Sequence, residues 1–199
     1  MADETPELVV SDVHAWRGWL HQHHQQETGV WLVLAKKGAT DPTSLTYDQA
    51  LDEALCYGWI DGQVRRRDAS TYVQRFTPRR KRSPWSQRNV GIIARLEREG
   101  RLQPAGAAEV ERAKADGRWD AAYAGPAGIQ DPPDLLAALA AEPRARAMWG
   151  ILTSANRYAI LHRLDEAKRP ETRARRLGQY VAMLAEGKTL YPQKAELGG

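Results

Sequence analysis

The stretch from Val30 to Ala35 is a continuous run of apolar residues, and it limits the folds that are open to this chain. A run this short and rich in β-forming residues is typical of a strand in the interior of a sheet. A helical pattern precedes it, with Ser11 as the expected N-cap and Gly29 at its end. The run therefore predicts an interior strand that helices cover.

A second helix and two further strands are predicted after this run. Thr46 and Gln49 form a capping box, which opens a helix that ends at Gly58. Residues 59–62 (WIDG) are interpreted as a tight turn into a strand over 63–67, and 71–77 as a second strand that stops before Pro78. Together these elements predict an α+β fold with a small three-stranded, mainly antiparallel sheet packed with helices.

From residue 83 onward the pattern is helical. Ser83 is the expected N-cap of the next helix, with Pro84 at its first position. Prolines and glycines gather in residues 121–134, which are therefore predicted to be a linker. We expect an α+β domain over residues 1–120, this linker, and a helical C-terminal region over 135–199. Whether that region packs with the first domain as one body is left open.

Composition excludes several classes of protein. The sequence of 199 residues has one cysteine, so no disulfide framework can form within it. No apolar run approaches the roughly 20 residues that span a bilayer, and the acidic N-terminus does not resemble a signal peptide. We expect a cytoplasmic protein without a cofactor.

Positive charge is concentrated in one part of the chain. The formal net charge is +4, but twelve basic residues stand against three acidic ones between positions 65 and 101. Such a concentration predicts an anionic partner. The basic residues are Arg65, Arg66, Arg67, Arg75, Arg79, Arg80, Lys81, Arg82, Arg88, Arg95, Arg98 and Arg101.

Eight residues around the end of the second predicted strand form a candidate anion site. The charge would come from Arg75, Arg79 and Arg80, since guanidinium groups beside a helix N-terminus suit phosphate or carboxylate. A planar group would stack on Trp59 and Trp85. Orientation would come from Asp61, Asn89 and the Ser86 hydroxyl. We predict that this site binds an anionic small molecule or peptide; the alternative is a solvated basic surface over buried tryptophans.

Three other functions remain open at this stage. The basic segment meets the electrostatic criterion for nucleic-acid binding, although no known nucleic-acid-binding motif is present. An enzyme of unknown reaction could use the Asp61 and Arg75 region, or Cys56. His21 and His24 share a helix face, but their neighbours are uniformly polar, which favours an exposed face, and no metal site is predicted.

Several motifs in this chain resemble the YdeI/OmpD-associated family, also called bacteriocin-protection proteins. They include 56–63 (CYGWIDGQ), 75–80 (RFTPRR), 84–89 (PWSQRN), 116–120 (DGRWD) and 170–173 (PETR). The resemblance implies a bacterial α+β protein linked to stress or antimicrobial-peptide tolerance. It implies no established reaction.

Overall fold

The chain divides into two compact units, one ending at Tyr123 and the other beginning at Ala124. A computed structural model describes residues 7–26, 28–125 and 128–196. The first unit contains the sheet and four helices, and the second is built from four further helices.

The elements follow one another in a simple order. The first unit contains β1 (Glu7–Leu8), α1 (Val13–His23), β2 (Val30–Ala35), α2 (Tyr47–Cys56), β3 (Trp59–Arg66), β4 (Thr71–Pro78), α3 (Gln87–Arg98) and α4 (Pro104–Ala115). The second unit contains α5 (Pro133–Ala141), α6 (Pro143–Ile151), α7 (Ser154–Asp165) and α8 (Pro170–Ala185).

The sheet has four strands in the order β1-β2-β4-β3. β1 runs parallel to β2, while β4 is antiparallel to both β2 and β3. The α+β class is confirmed, but the prediction of three mainly antiparallel strands is wrong, because the short β1 makes the sheet mixed. A strand of two residues, Glu7 and Leu8, is too short to show any alternation in sequence.

Residues 59–62 are part of a strand, so the predicted tight turn at this position is wrong. Trp59 pairs with Pro78 and Ile60 with Thr77, which extends β3 back to the end of α2. The register shifts between Asp61 and Val64, as in a β-bulge around Gly62. The glycine therefore marks an irregularity within the strand rather than its beginning.

Helices α1 and α2 contribute to the main core, which lies on one face of the sheet. Trp16 and Leu20 of α1 are fully buried, and the Trp16 indole N–H donates to the carbonyl of Ala50 in α2 at 3.1 Å. Aromatic side chains of the sheet complete this core, with Phe76 and Trp16 ring centres 5.8 Å apart. A second, smaller cluster contains Trp31, Val33 and Val73.

The helix caps differ from the sequence prediction at two of three positions. The capping box of Thr46 and Gln49 is confirmed. Asp12, not Ser11, caps α1, since its carboxylate accepts from two backbone N–H groups at 2.9 Å. Ser86, not Ser83, caps α3, because residues 83–85 remain outside the helix while the 85–87 backbone pairs with Tyr123.

The second unit has its own core, formed by one face from each of its helices. Leu135, Met148, Ile160 and Leu184 come from α5, α6, α7 and α8 in turn, and all four are buried. Arg173 of α8 donates from Nε and Nη2 to Asp134 at 2.7 and 2.9 Å. Among the described residues, no helix combines the length and apolar character that crossing a membrane requires.

A buried carboxylate joins three segments of the first unit. Glu53 of α2 is 1% exposed and receives both Nε and Nη2 of Arg17 from α1, at 2.7 and 2.6 Å. Arg101, just before α4, donates to the same carboxylate at 2.6 Å. Burial opposes ionisation of Glu53, but the hydrogen bonds from the two arginines outweigh it and lower the pKa below its ordinary value of 4.5.

Glu53→Gln should lower the free energy of unfolding by about 2 kcal/mol at neutral pH. Breaking a fully buried ion pair would lower the free energy of unfolding by more, but Arg17 remains partly exposed. Because the pKa of Glu53 is lower in the folded protein than its ordinary value of 4.5, ionisation of this carboxylate stabilises the folded state at a pH above that value. The stabilisation is lost as the pH falls. The difference between wild type and variant should therefore narrow below about pH 4.

Urea unfolding of both proteins across this pH range measures the effect. Glu111→Gln is the matched control, because Glu111 pairs with Lys114 on the surface. Such an exposed pair contributes less than about 1 kcal/mol. A difference for Glu53→Gln that stays constant with pH would contradict the role assigned to its ionisation.

Candidate anion-binding site

The side chain of Arg79 is buried at the end of β4. Its backbone N–H donates to the carbonyl of Gly58 at 3.0 Å, beside the turn between α2 and β3, and only 6% of the residue is exposed. The guanidinium carbon lies 3.6 Å from the centre of the Trp85 ring, and Nη1 donates to the carbonyl of Pro84 at 3.1 Å. One face and one end of the guanidinium are therefore occupied.

The other two nitrogen atoms of Arg79, Nε and Nη2, have no hydrogen-bond partner within the part of the chain that the structure describes. Buried polar groups are normally hydrogen-bonded. Arg112 and Arg118 each have one buried nitrogen without a partner, but among the described residues Arg79 is the side chain with two. Burial lowers the pKa of Arg79 to about 10, and the carboxylate of Glu109 opposes this shift. The guanidinium therefore stays positively charged at neutral pH.

Arg79 is one of the side chains that line a cleft of about 310 Å³, which we call the Arg79 cleft. The cleft lies between the C-terminal end of α1, the turn from α2 to β3, the end of β4, and α4. Its lining residues are His24, Gln25, Tyr57, Gly58, Trp59, Pro78, Arg79, Ala105, Ala108 and Glu109. Its volume is at the lower end of the range for small-molecule sites.

Two glycines allow α4 to form one wall of this cleft. A Cβ on Gly106 would overlap the carbonyl oxygen of Cys56, so only glycine permits this approach of α4 to the end of α2. Gly58 has a φ of 76°, in the left-handed region, and a Cβ there would lie 2.9 Å from Cγ of Glu109. The shape of the cleft therefore depends on both glycines.

The two tryptophans of the predicted site are core residues. Trp59 is fully buried, and its indole N–H donates to the carbonyl of His24 at 2.8 Å. Trp85 is 2% exposed and contacts Trp119, with ring centres 4.9 Å apart. Trp85 stacks on the Arg79 guanidinium, so its ring orients the arginine.

The structure separates the three arginines that the sequence grouped together. Arg75 leaves β4 on the face opposite to Phe76, and its guanidinium carbon lies 5.7 Å from the centre of the Trp31 ring. Arg80 is exposed, and its backbone N–H donates to the Ser83 hydroxyl at 3.0 Å. Of the three, Arg79 is the one that lines the cleft.

Asp61 belongs to a separate hydrogen-bonded group at the start of α2. Its Oδ2 accepts from the Tyr47 hydroxyl at 2.9 Å, and Arg88 donates to that hydroxyl at 3.1 Å. Burial and, after it, the charge of Asp61 raise the pKa of Tyr47 to about 12. Asp61 thus makes its direct contact with Tyr47 rather than with Arg75 or Arg79.

Ser86 and Asn89 lie together at the beginning of α3, where both are buried. The Ser86 hydroxyl accepts from the backbone N–H of Asn89 at 3.2 Å as the helix cap. The predicted site placed the Ser83 hydroxyl at this helix end as well. That placement is wrong, because α3 begins after Ser86.

Acidic residues pair with several arginines of the basic segment. Arg67 contacts Glu7 and Asp68, and Arg88 contacts Asp48. Arg95 pairs with Asp52 and Glu99, and Arg101 pairs with Glu53 and Glu99. Part of the local positive charge is thus neutralised by residues that lie outside the segment in sequence.

Neither the histidines nor the cysteine forms a reactive cluster in the structure. His23 and His24 place Nδ1 at 2.8 and 3.0 Å from the carbonyls of Trp19 and Leu20, one turn earlier. The described residues contain no group of three or more metal-ligating side chains. Burial raises the pKa of the Cys56 thiol to about 12, which keeps it protonated and unreactive at neutral pH.

Sequence reasoning missed the wall of the cleft that α4 supplies. No sequence pattern marks Glu109, Ala105 or Ala108 as site residues. The glycines at 58 and 106 are the one feature of the sequence that is consistent with a close approach of two backbones. A second depression, of about 570 Å³, was also missed. It lies in the second unit and is lined by Ser154, Ala155, Tyr158, Ala159, His162, Arg163, Glu166 and Tyr191.

Comparison with known families divides the chain in the same way as the structure. Residues 8–109 match a family described as a domain of unknown function (DUF8412). Residues 130–187 match a family described as bacteriocin-protection, YdeI or OmpD-associated. Each match lies within one of the two structural units. No curated protein and no solved structure matches the chain.

The structure and these matches together define a protein of two units, an α+β unit and a helical unit. Because the first match spans just over half of the chain, the chain belongs to the DUF8412 family, and it carries a YdeI/OmpD-associated domain in its second unit. The predicted resemblance to that second family is confirmed for residues 130–187. Its motif at 170–173 lies inside the matched range. The motifs at 56–63, 75–80 and 84–89 lie in the range of the first family, and the one at 116–120 lies outside both ranges.

Replacing Arg79 by methionine should leave the free energy of unfolding within about 1 kcal/mol of the wild-type value. The variant loses one hydrogen bond and the Trp85 contact, but it also removes a desolvated charge without full compensation. Arg101→Met is the matched control, since it leaves Glu53 with one cation fewer and should cost about 2 kcal/mol. Urea unfolding measures both; equal losses would mean that Arg79 serves stability.

Proposed function

We propose that this protein binds the anionic group of a small molecule or peptide in the Arg79 cleft, and that this binding contributes to stress or antimicrobial-peptide tolerance. The observation that carries the proposal is the buried guanidinium of Arg79 with Nε and Nη2 unpartnered among the described residues. A charge held away from water without full compensation costs stability, and a bound anion would supply the missing partner.

The surroundings of Arg79 favour a small ligand over a long polyanion. The cleft encloses about 310 Å³ and includes the carbon surfaces of Pro78, Ala105 and Ala108. One buried cation in a mainly apolar cleft is a common arrangement for fixing the charged end of a small ligand. Binding of nucleic acid would instead need several exposed cations along a surface, and several arginines of the basic segment already have acidic partners.

The proposed role in tolerance is based on the family that the second unit matches, because the description of that family names bacteriocin protection. A peptide presents at least one anionic group, its C-terminal carboxylate, so peptide and small-molecule ligands are chemically compatible with the same cleft. An enzyme that used Cys56 or Asp61 has less support, since the thiol is buried and protonated and the carboxylate is bonded to Tyr47.

Binding can be tested with para-fluorobenzoate and para-fluorophenyl phosphate, observed by fluorine NMR of the probe. At least one of the two should bind the wild-type protein, and Arg79→Met should weaken that binding by about tenfold or more. Arg80→Met, a change of the exposed neighbouring arginine, should bind as the wild type does. Failure of both probes to bind, or equal binding by Arg79→Met, would contradict the proposed function.

Tolerance can be tested in a bacterial host from which the gene is deleted. Survival in a cationic peptide antibiotic should be restored by the wild-type gene and by Arg80→Met, and not by Arg79→Met at equal protein level. The reason is that we expect the Arg79 variant to keep the fold while it loses the cation that holds the anion in the cleft. Equal protection by Arg79→Met would separate the tolerance role from the cleft.

A further inference from the structure

We infer that the anionic group bound in the Arg79 cleft is a carboxylate, held side-on by Nε and Nη2 of Arg79, on a ligand with an apolar body. This inference rests on the proposed function and specifies the chemical class of its ligand. It follows from which edge of the guanidinium lacks a hydrogen-bond partner, from the charges that surround the cleft, and from the apolar lining.

The unpartnered edge of Arg79 is the one that matches a carboxylate. Trp85 covers one face of the guanidinium, and the Pro84 carbonyl occupies Nη1. The two remaining donors, Nε and Nη2, point the same way in the plane of the group, and their spacing fits the two oxygens of a carboxylate. Both nitrogen atoms are buried, so a carboxylate that bonds to them displaces the groups that cover this edge.

Two other arginines of this chain already use the same edge for the same chemistry. Arg17 donates from Nε and Nη2 to the two oxygens of Glu53, at 2.7 and 2.6 Å. Arg173 does so to Asp134, at 2.7 and 2.9 Å. Arg79 presents this pair of donors without a partner among the described residues, so the edge lacks a carboxylate that the other two arginines have.

The charges around the cleft favour an anion with one negative charge. Arg79 is the one arginine or lysine among the described residues that line the cleft, and Glu109 lines it too. Glu109 forms an ion pair with Arg112. A phosphate monoester carries about −1.5 to −2 at neutral pH. Arg79 balances the single charge of a carboxylate, whereas the second charge of a phosphate ester exceeds what this one lining cation balances.

The lining away from Arg79 indicates what the carboxylate is attached to. Pro78, Ala105 and Ala108 contribute carbon surface, and Tyr57 also lines the cleft. Burial of an apolar group against such surfaces favours binding. A small aromatic or aliphatic monocarboxylate therefore fits the cleft better than a sugar or a polyanion.

Three fluorinated probes of one shape separate charge from geometry. These are para-fluorobenzoate, para-fluorophenyl phosphate and the uncharged para-fluorobenzamide. The wild-type protein should bind the benzoate at least about tenfold more tightly than either of the others. Arg79→Lys keeps the positive charge but lacks the pair of parallel donors, so it should lose about tenfold in benzoate affinity. Arg80→Lys should match the wild type.

A measurement on the unaltered protein gives a second, independent test. Side-chain Nε–H signals of arginine can be followed by NMR during a titration with para-fluorobenzoate. One such signal should shift strongly at saturation, and it should be the signal that Arg79→Lys removes. Benzoate binding without any shift of that signal would overturn side-on binding by Arg79.

The outcomes distinguish this inference from the proposed function beneath it. If the phosphate ester binds as tightly as the benzoate or more tightly, in an Arg79-dependent way, the carboxylate inference is wrong and anion binding stands. If the benzamide binds as tightly as the benzoate, the charge is not recognised and both fail. If Arg79→Lys does not fold, the comparison of the three probes on the wild-type protein still decides the ligand class.

Discussion

The carboxylate of Glu53 is the contact on which the geometry of the first unit depends. It lies inside the unit, on α2, and is held by one arginine from α1 and another from the segment before α4. An ionised carboxylate is stable in such a position only when cations and hydrogen bonds compensate its lost hydration. The three segments are therefore fixed relative to one another, and with them the end of α2, where Gly106 packs against the Cys56 carbonyl.

The Arg79 cleft is a consequence of that arrangement. The carbonyl of Gly58, in the turn after α2, accepts a hydrogen bond from the backbone N–H of Arg79, and α4 forms the opposite side of the cleft. Glu53 and Arg79 differ in how the protein compensates their buried charges. Glu53 has all of its compensation within the protein, while Arg79 has one hydrogen bond, one aromatic face and the charge of the Glu109 carboxylate. The proposed anion would supply the partner that Nε and Nη2 of Arg79 lack among the described residues.

The basic segment acquires a different meaning once its ion pairs are known. In sequence it is a single block of positive charge, but in the fold its arginines divide among four environments. Some are paired with acidic residues, and others, such as Arg80, are exposed. Arg65 lies 3.8 Å over the Trp31 ring, and Arg79 is enclosed. The number of arginines in a sequence window is therefore a poor guide to the field that a partner meets, because acidic residues distant in sequence fold against them.

Sequence alone predicted the strand at residues 30–35, the α+β class, the helical pattern of the C-terminal region and a resemblance to the YdeI/OmpD-associated family, which the comparison limits to residues 130–187. These depend on local signals: an apolar run, a capping box, and prolines and glycines at helix ends. It also placed Arg79 among the candidates, without distinguishing it from Arg75 and Arg80. Only the tertiary structure decided among the three. Strand alternation turns Arg75 to the other face, exposure leaves Arg80 in water, and α4, which begins 25 residues later, encloses the surroundings of Arg79. Burial and missing hydrogen bonds are properties of that three-dimensional enclosure, and no local pattern encodes them.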